Sequence, residues 1–235
     1  MRICSHFTDK KWLKLRPRLG QNQNDEKAWH EAINVLKCRL EERFFRPIKI
    51  LLSADENPGQ NPAEKSKHPE SVAPGFSVMA LCCLLVETLQ GFHDGRNPDG
   101  GPPNVTRCTY PEGRCVLSPS TAAAFRSFLS QRPHLKGDFN KKKAGDFSQN
   151  VRNALLHYAE TRRGWLIRRN KPDGKHGILG REANAFVVYR TKFYEALYEE
   201  FKNYLRRLAN PSETELRKHF LTRMDYIAKT APKAE

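Results

Sequence analysis

Apolar residues recur at intervals of three and four along much of the chain, the spacing typical of one buried face of an α-helix. The pattern predicts four long helices, over residues 25–45, 75–93, 138–162 and 190–209, and a shorter one over 120–131. Pro47 should end the first of them, because proline cannot continue a helix. Ser212 and Glu215 have the spacing of a capping box and predict the start of a last helix.

The helix over 75–93 differs from the others because it is apolar nearly all round until Glu87. Such a helix is typical of the centre of a bundle. Two proline- and glycine-rich stretches, 53–74 and 94–118, predict exposed loops. Two β-prone runs, 165–169 and 185–189, flank turn residues and predict a small hairpin at about 165–189.

These elements predict an all-α fold: a helical bundle with a four-helix core, additional helices and the small β-hairpin as an insertion. We expect a basic N-terminal segment over residues 1–24. A single helical domain over residues 25–235 should follow it.

The net charge of the chain indicates which binding partner to expect. Lys and Arg number 41 against 26 Asp and Glu, a formal net charge of +15, and residues 135–181 alone contribute +8. Such an excess favours nucleic acid as the first partner to consider and an anionic membrane surface as the second, although part of it can serve solubility. The residues we expect to contact RNA are Lys141, Lys142, Lys143, Arg162, Arg163, Arg168 and Arg169.

The apolar runs and the cysteines of the chain argue against a membrane protein, a secreted protein and a zinc-binding protein. The longest apolar run has nine residues, too few to span a bilayer, and no secretory signal is recognisable, so we expect a cytoplasmic protein without a membrane partner. Cys82 and Cys83 resemble core residues. Cys108 and Cys115, with His93 upstream, match no standard zinc spacing, and we expect neither metal nor cofactor.

The stretch "VRNALLHYAETR" at residues 151–162 holds the candidate chemistry. At about 100° per residue, Phe147, Val151, Ala154, Leu155 and Tyr158 should form its buried face. The residues expected on the opposite face are Arg152, Asn153, Leu156, His157 and Glu160. That face suits an interface, but it equally suits an ordinary solvated helix surface.

Glu87 is a carboxylate in an otherwise apolar helix, and a buried carboxylate needs a cationic or hydrogen-bonding partner. Arg152 is the natural candidate for that partner. The alternative is that Glu87 simply lies where its helix emerges into solvent.

The sequence Arg152-Asn153-x3-His157 resembles the signature of the HEPN superfamily: an arginine, four to six intervening residues of which the first is commonly polar, and a histidine. The resemblance covers residues 75–165 well and the flanking helices loosely. It implies a metal-independent endoribonuclease, often a toxin or defence effector, in which two protomers bring their motifs together.

In such a site histidine, which titrates near pH 6.5 in isolation, transfers protons, and arginine binds the phosphate. The resemblance assigns Arg152, Asn153 and His157 to catalysis and Glu87 to their support. It also implies RNA as substrate and a homodimer formed through the face that carries Arg152, Leu156 and His157. An antitoxin or another regulatory protein is a further possible partner.

Two alternatives remain from the sequence. One is a non-catalytic HEPN-like module that binds RNA or protein, because the superfamily contains such members. The other is an unrelated helical DNA-binding or scaffold protein, for which no helix-turn-helix signature is visible.

Overall fold

The structure is a computed structural model that describes residues 1–21, 25–56, 74–95, 121–169 and 177–228. Helices dominate these ranges, and the strands form two small sheets, so the predicted prevalence of helix is confirmed. The helices are α1 (Asp9–Gln21), α2 (Glu26–Leu40), α3 (Arg46–Glu56), α4 (Gly75–Asp94), α5 (Thr121–Gln131), α6 (Lys141–Phe147), α7 (Asn153–Tyr158), α8 (Arg190–Ala209) and α9 (Thr214–Ile227). The strands are β1 (Arg2–Cys4), β2 (Phe7–Thr8), β3 (Trp165–Arg168), β4 (Leu179–Glu182) and β5 (Ala185–Tyr189).

The chain divides into two compact units. Unit 1 comprises Met1–Arg43, Thr88–Ser120 and Phe201–Glu235, and unit 2 comprises Phe44–Glu87 and Thr121–Glu200. The expected boundary at residue 24 stays a prediction, and the first 43 residues belong to one unit with the C-terminal helix. Burial explains this, since Trp12 in α1 is fully buried and donates its indole N–H to Asp225 of α9 at 2.8 Å.

Aromatic rings fill the core of each unit. In unit 1 the ring of Phe220 lies 5.9–6.2 Å from the rings of Trp12, Trp29 and Phe92. In unit 2 the ring of Phe147 is the centre of the corresponding cluster. Its neighbours, at 5.3–6.2 Å, are Phe125, Phe139, Trp165 and Phe193.

Pro47 does not end a helix as predicted. A π-helical turn, Glu41–Phe45, follows α2, and α3 then continues through Pro47 to Glu56. The wider turn directly before the proline is the kind of irregularity by which a helix accommodates a ring that clashes with the preceding turn. Residues 53–56 of the expected loop are consequently helical, whereas residues 57–73 of it and residues 96–118 of the second loop lie outside the described residues.

The predicted hairpin is also wrong in its pairing. β3 and β5, the two runs that the pattern identified, are parallel neighbours, with Trp165 opposite Phe186. The hairpin forms instead between β4 and β5, which pair antiparallel with Leu179 opposite Val188. The sequence Leu-Gly-Arg-Glu of β4 has little β-propensity, so the pattern missed this strand.

The predicted capping box is absent. Glu213 is the N-cap residue of α9 and makes no side-chain capping bond. Ser212 bonds Asn210 Oδ1 instead, through its backbone N–H at 3.1 Å and its hydroxyl at 2.9 Å. The Ser212 hydroxyl thus bonds within the local turn at Asn210-Pro211 and does not cap α9.

Among the described residues, α4 is the one helix long and apolar enough to cross a membrane by length and composition, and 61% of its most apolar window is buried. The buried core helix of a soluble protein passes the same test. Gly75–Asp94 matches the predicted helix closely.

Candidate functional site

The candidate site lies in unit 2, on the helical segment from Lys141 to Tyr158. Asn140 caps its start by accepting the backbone N–H of Lys143 at 2.9 Å, so the segment begins three residues later than predicted. A π-helical turn, Ser148–Arg152, joins α6 to α7. Phe147, fully buried in its aromatic cluster, anchors the segment directly before that turn.

Arg152 is held from two sides. Its Nε–H donates to Glu87 Oε1 at 2.7 Å, and Nη1 donates to Asn153 Oδ1 at 2.9 Å. The predicted pairing of Glu87 with Arg152 is therefore present. The remaining N–H groups of the guanidinium have no hydrogen-bond acceptor among the described residues, so they are available to bind an anion.

The burial of residues 151–157 agrees in part with the predicted division of this helix into a buried and an exposed face. Val151, Ala154 and Leu155 are buried, whereas Leu156 and His157 are exposed. Arg152 and Asn153 were expected to face away from the core, but both are half-buried and not fully exposed. The Arg152 side chain is 16% exposed. The ion pair with Glu87 explains this, because it draws the guanidinium toward α4.

Tyr158, expected on the buried face, is 58% exposed. The helix ends at this residue, and Ala159 adopts the left-handed conformation with φ 53°. No further helical turn covers the Tyr158 ring. Instead, the Arg162 guanidinium lies 3.8 Å from its centroid, a cation–π contact.

The left-handed residue and the turn that follows bring the basic connection back toward the helix. The Arg162 backbone N–H donates to the carbonyl of Asn150 at 2.9 Å. Arg163 and Gly164, with φ 47° and 68°, then reverse the chain into β3. Glycine suits such a conformation, whereas Ala159 and Arg163 carry a steric cost there.

His157 is the exposed histidine of this segment. Its only contact recorded among the described residues is an edge contact with the neighbouring Tyr158 ring at 6.2 Å. An imidazole in this position is accessible to a substrate. Cys83 is not a second reactive group. Burial raises the pKa of its thiol well above the usual value, and the neighbouring Cys82 and Glu87 add to this increase. The positive charge of Arg152 opposes the increase but does not cancel it.

The residues predicted to contact RNA divide into two sets. Arg168 pairs with Glu182 at 3.0 Å, Arg162 stacks on Tyr158, and Lys143 Nζ donates to the Asp138 carbonyl at 3.3 Å. Lys141, Lys142 and Arg163 are exposed and form no ion pair with any described residue. Arg169 is exposed as well but has partners of its own.

Sequence reasoning missed one cluster of chemistry-bearing side chains. Cys4, His6 and Cys38 of unit 1 place their donor atoms within 4.8 Å of one another. The signal was available as Cys4-x-His6 near the start of the chain and Cys38-x3-Glu42, one helical turn apart. The cysteines considered instead, Cys108 and Cys115, lie outside the described residues.

Comparisons with protein-family models, with curated proteins and with solved structures find no match to this chain. The arrangement of Glu87, Arg152, Asn153 and His157 is therefore the observation that bears on function.

Proposed function

We propose that this protein is a metal-independent endoribonuclease of the HEPN type that acts as a homodimer. The observation that carries the proposal is the combination of an arginine fixed by Glu87 and Asn153 with an exposed histidine on the next helical turns. The arginine would bind the phosphate and the histidine would transfer the proton. Both lie on the short helix α7 or at its N-cap, in a strongly basic region. A four-helix HEPN-like core around α4 and the segment from Lys141 to Tyr158 belongs to the same proposal.

The reaction would proceed by attack of a ribose 2′-oxygen on the adjacent phosphorus. The 2′-O–P bond forms while the P–O5′ bond breaks, a base accepts the 2′ proton, and an acid protonates the departing 5′-oxygen. The products are a 2′,3′-cyclic phosphate and a 5′-hydroxyl. The free N–H groups of Arg152 would stabilise the charge that accumulates on the phosphorane oxygens.

Two proton carriers are needed, and the homodimer would supply them as two copies of His157. The apolar surface around His157 supports this arrangement, because Leu156 is 37% and Tyr158 58% exposed on either side of it. A two-fold axis through this face would bring each residue close to its own copy. In this arrangement Asn153 orients Arg152, and Lys141, Lys142 and Arg163 bind the RNA backbone outside the reacting phosphate.

The test is incubation of the purified protein with single-stranded RNA in EDTA, with analysis of the product ends in the first minutes. Products with 2′,3′-cyclic phosphate and 5′-hydroxyl ends support the proposal. Cleavage that requires added Mg²⁺ and leaves 5′-phosphate ends contradicts it.

A second candidate function is a non-catalytic module that binds RNA. The observation in its favour is that Arg152 is only 16% exposed and already bonds Glu87 and Asn153. Arg152 could therefore serve only to hold α7 against α4. This function predicts binding that weakens steeply with salt, because phosphate contacts release counterions, and no cleavage over long incubation.

A further inference from the structure

The donor atoms of Cys4, His6 and Cys38 lie close enough together for small side-chain adjustments to bring them onto one metal ion. A tetrahedral zinc site with bonds near 2.3 Å to sulfur and 2.0–2.1 Å to nitrogen places its donor atoms about 3.5–3.8 Å apart. Cys38 Sγ lies 3.5 Å from His6 Nδ1, and all three donor atoms lie within 4.8 Å of one another. These residues belong to unit 1, whereas the Arg152 and His157 site belongs to unit 2.

Glu42 lies beside this cluster, next to Cys38, but is not one of the three residues whose donor atoms all lie within 4.8 Å of one another. Its Oε1 lies 3.2 Å from Cys38 Sγ, because the two residues are one turn apart where α2 runs into the π-helical turn. The backbone N–H of Ser5 donates to both carboxylate oxygens, at 3.2 and 3.0 Å. Such a bond orients a carboxylate ligand in the way that outer-shell partners commonly do.

Independent contacts hold the two halves of this cluster together. Arg39 of α2 donates Nη1 to the carbonyl of Ile3 in β1 at 2.8 Å, and Cys4 is 3% exposed. Cys4 and Cys38 are both free thiols. The donors are thus arranged before any ion binds, which lowers the cost of ordering them.

We propose that Cys4, His6 and Cys38 form a structural Zn²⁺ site that fastens the turn between β1 and β2 to α2, with the neighbouring Glu42 carboxylate turning from Cys38 toward the ion as the fourth ligand. Two thiolates, an imidazole and a carboxylate match the ligand preferences of zinc. Four protein ligands leave no open position, so the ion stabilises the unit without acting on a substrate. The proposal departs from the sequence expectation that the chain binds no metal.

The test is a zinc titration of the reduced, metal-stripped full-length chain against a chromophoric chelator. We expect about one tightly bound Zn²⁺ per chain, and Co²⁺ in its place should give the visible absorption of a tetrahedral thiolate site. His6→Ala, at an exposed position, should weaken binding on the order of 100-fold, and Cys38→Ser should do the same. His30→Ala, an exposed histidine of α2 outside the cluster, is the matched control and should bind as the wild type does.

Zinc should also raise the melting temperature of the wild type but not of His6→Ala, because a ligand that binds only the folded state stabilises it. No zinc uptake by the reduced chain overturns the proposal. Uptake that survives Cys38→Ser and disappears in Cys108→Ser/Cys115→Ser overturns it equally, by placing the metal elsewhere. Zinc uptake is measured without RNA, and cleavage is measured both in EDTA and with the zinc-loaded chain in the absence of Mg²⁺, so either proposal can fail without the other.

Discussion

Glu87 and Arg152 come from helices far apart in sequence, and the Arg152 Nε–H donates to Glu87 Oε1 at 2.7 Å. Their side chains are 29% and 16% exposed, so water screens the pair only in part. This ion pair fixes the guanidinium at the start of α7, on the helix that presents His157.

The ion pair should contribute measurably to stability. Glu87→Ala leaves a half-buried guanidinium without its acceptor and should lower the free energy of unfolding by about 1–2 kcal/mol. Glu87→Gln, which keeps an oxygen acceptor, should cost less. In urea denaturation the double variant Glu87→Ala/Arg152→Ala should be less destabilised than the sum of the single variants, and strict additivity would show that the two side chains are not coupled.

The left-handed residue at the end of α7 gives a second prediction. Ala159, with φ 53°, lies in a conformation that costs an L-residue about 1 kcal/mol more than glycine, so Ala159→Gly should stabilise the protein by about that amount. Ala154→Gly, in the helix interior, is the control and should destabilise the protein by about 1 kcal/mol or more. The melting temperatures of the two variants should therefore move in opposite directions. A decrease for Ala159→Gly would argue against this conformation in solution.

The outcome at α7 illustrates which features the sequence could predict. Hydrophobic spacing identified the helices over 75–93, 120–131 and 190–209, because core packing imposes that spacing directly. The Glu87–Arg152 pair was also predictable, since an acid in an apolar helix needs a partner.

Other features depend on geometry that spacing does not encode. The arithmetic of a straight helix predicted a buried Tyr158, but the helix ends there and Arg162 covers the ring instead. The parallel pairing of β3 with β5 depends on β4, whose composition is not strand-like. The cluster of Cys4, His6 and Cys38 joins two short patterns more than 30 positions apart, and neither pattern encodes that the two lie side by side.

The exposed apolar surface beside His157 should mediate dimer formation. Leu156→Glu places a charge on that surface and should shift the protein to monomer in analytical ultracentrifugation, with a parallel loss of cleavage. Ile50→Glu alters another exposed apolar residue of the same unit, 68% exposed, and should leave the oligomeric state unchanged. A wild type that is monomeric at assay concentrations and still cleaves RNA would contradict the shared site.

Ion pairing within the basic region predicts an unequal contribution to RNA binding. In a His157→Ala background, Lys141→Ala/Lys142→Ala and Arg163→Ala should weaken RNA binding clearly, whereas Arg168→Ala should have a smaller effect because Glu182 already neutralises Arg168. Each lost phosphate contact should reduce the slope of log K against log salt by about 0.7 for single-stranded RNA. An equal effect of all these variants would mean that the pair with Glu182 opens on binding.

The most direct test of the catalytic proposal is the kcat/KM for RNA cleavage of His157→Ala, measured beside His134→Ala. His134 is an exposed histidine of the same unit whose recorded hydrogen bond uses its backbone N–H, which alanine retains. Removal of a general acid or base should lower kcat/KM for His157→Ala by about 10²–10⁴-fold, while His134→Ala cleaves like the wild type. Equal cleavage by His157→Ala and the wild type would contradict the assignment of His157 and, with it, the proposed mechanism.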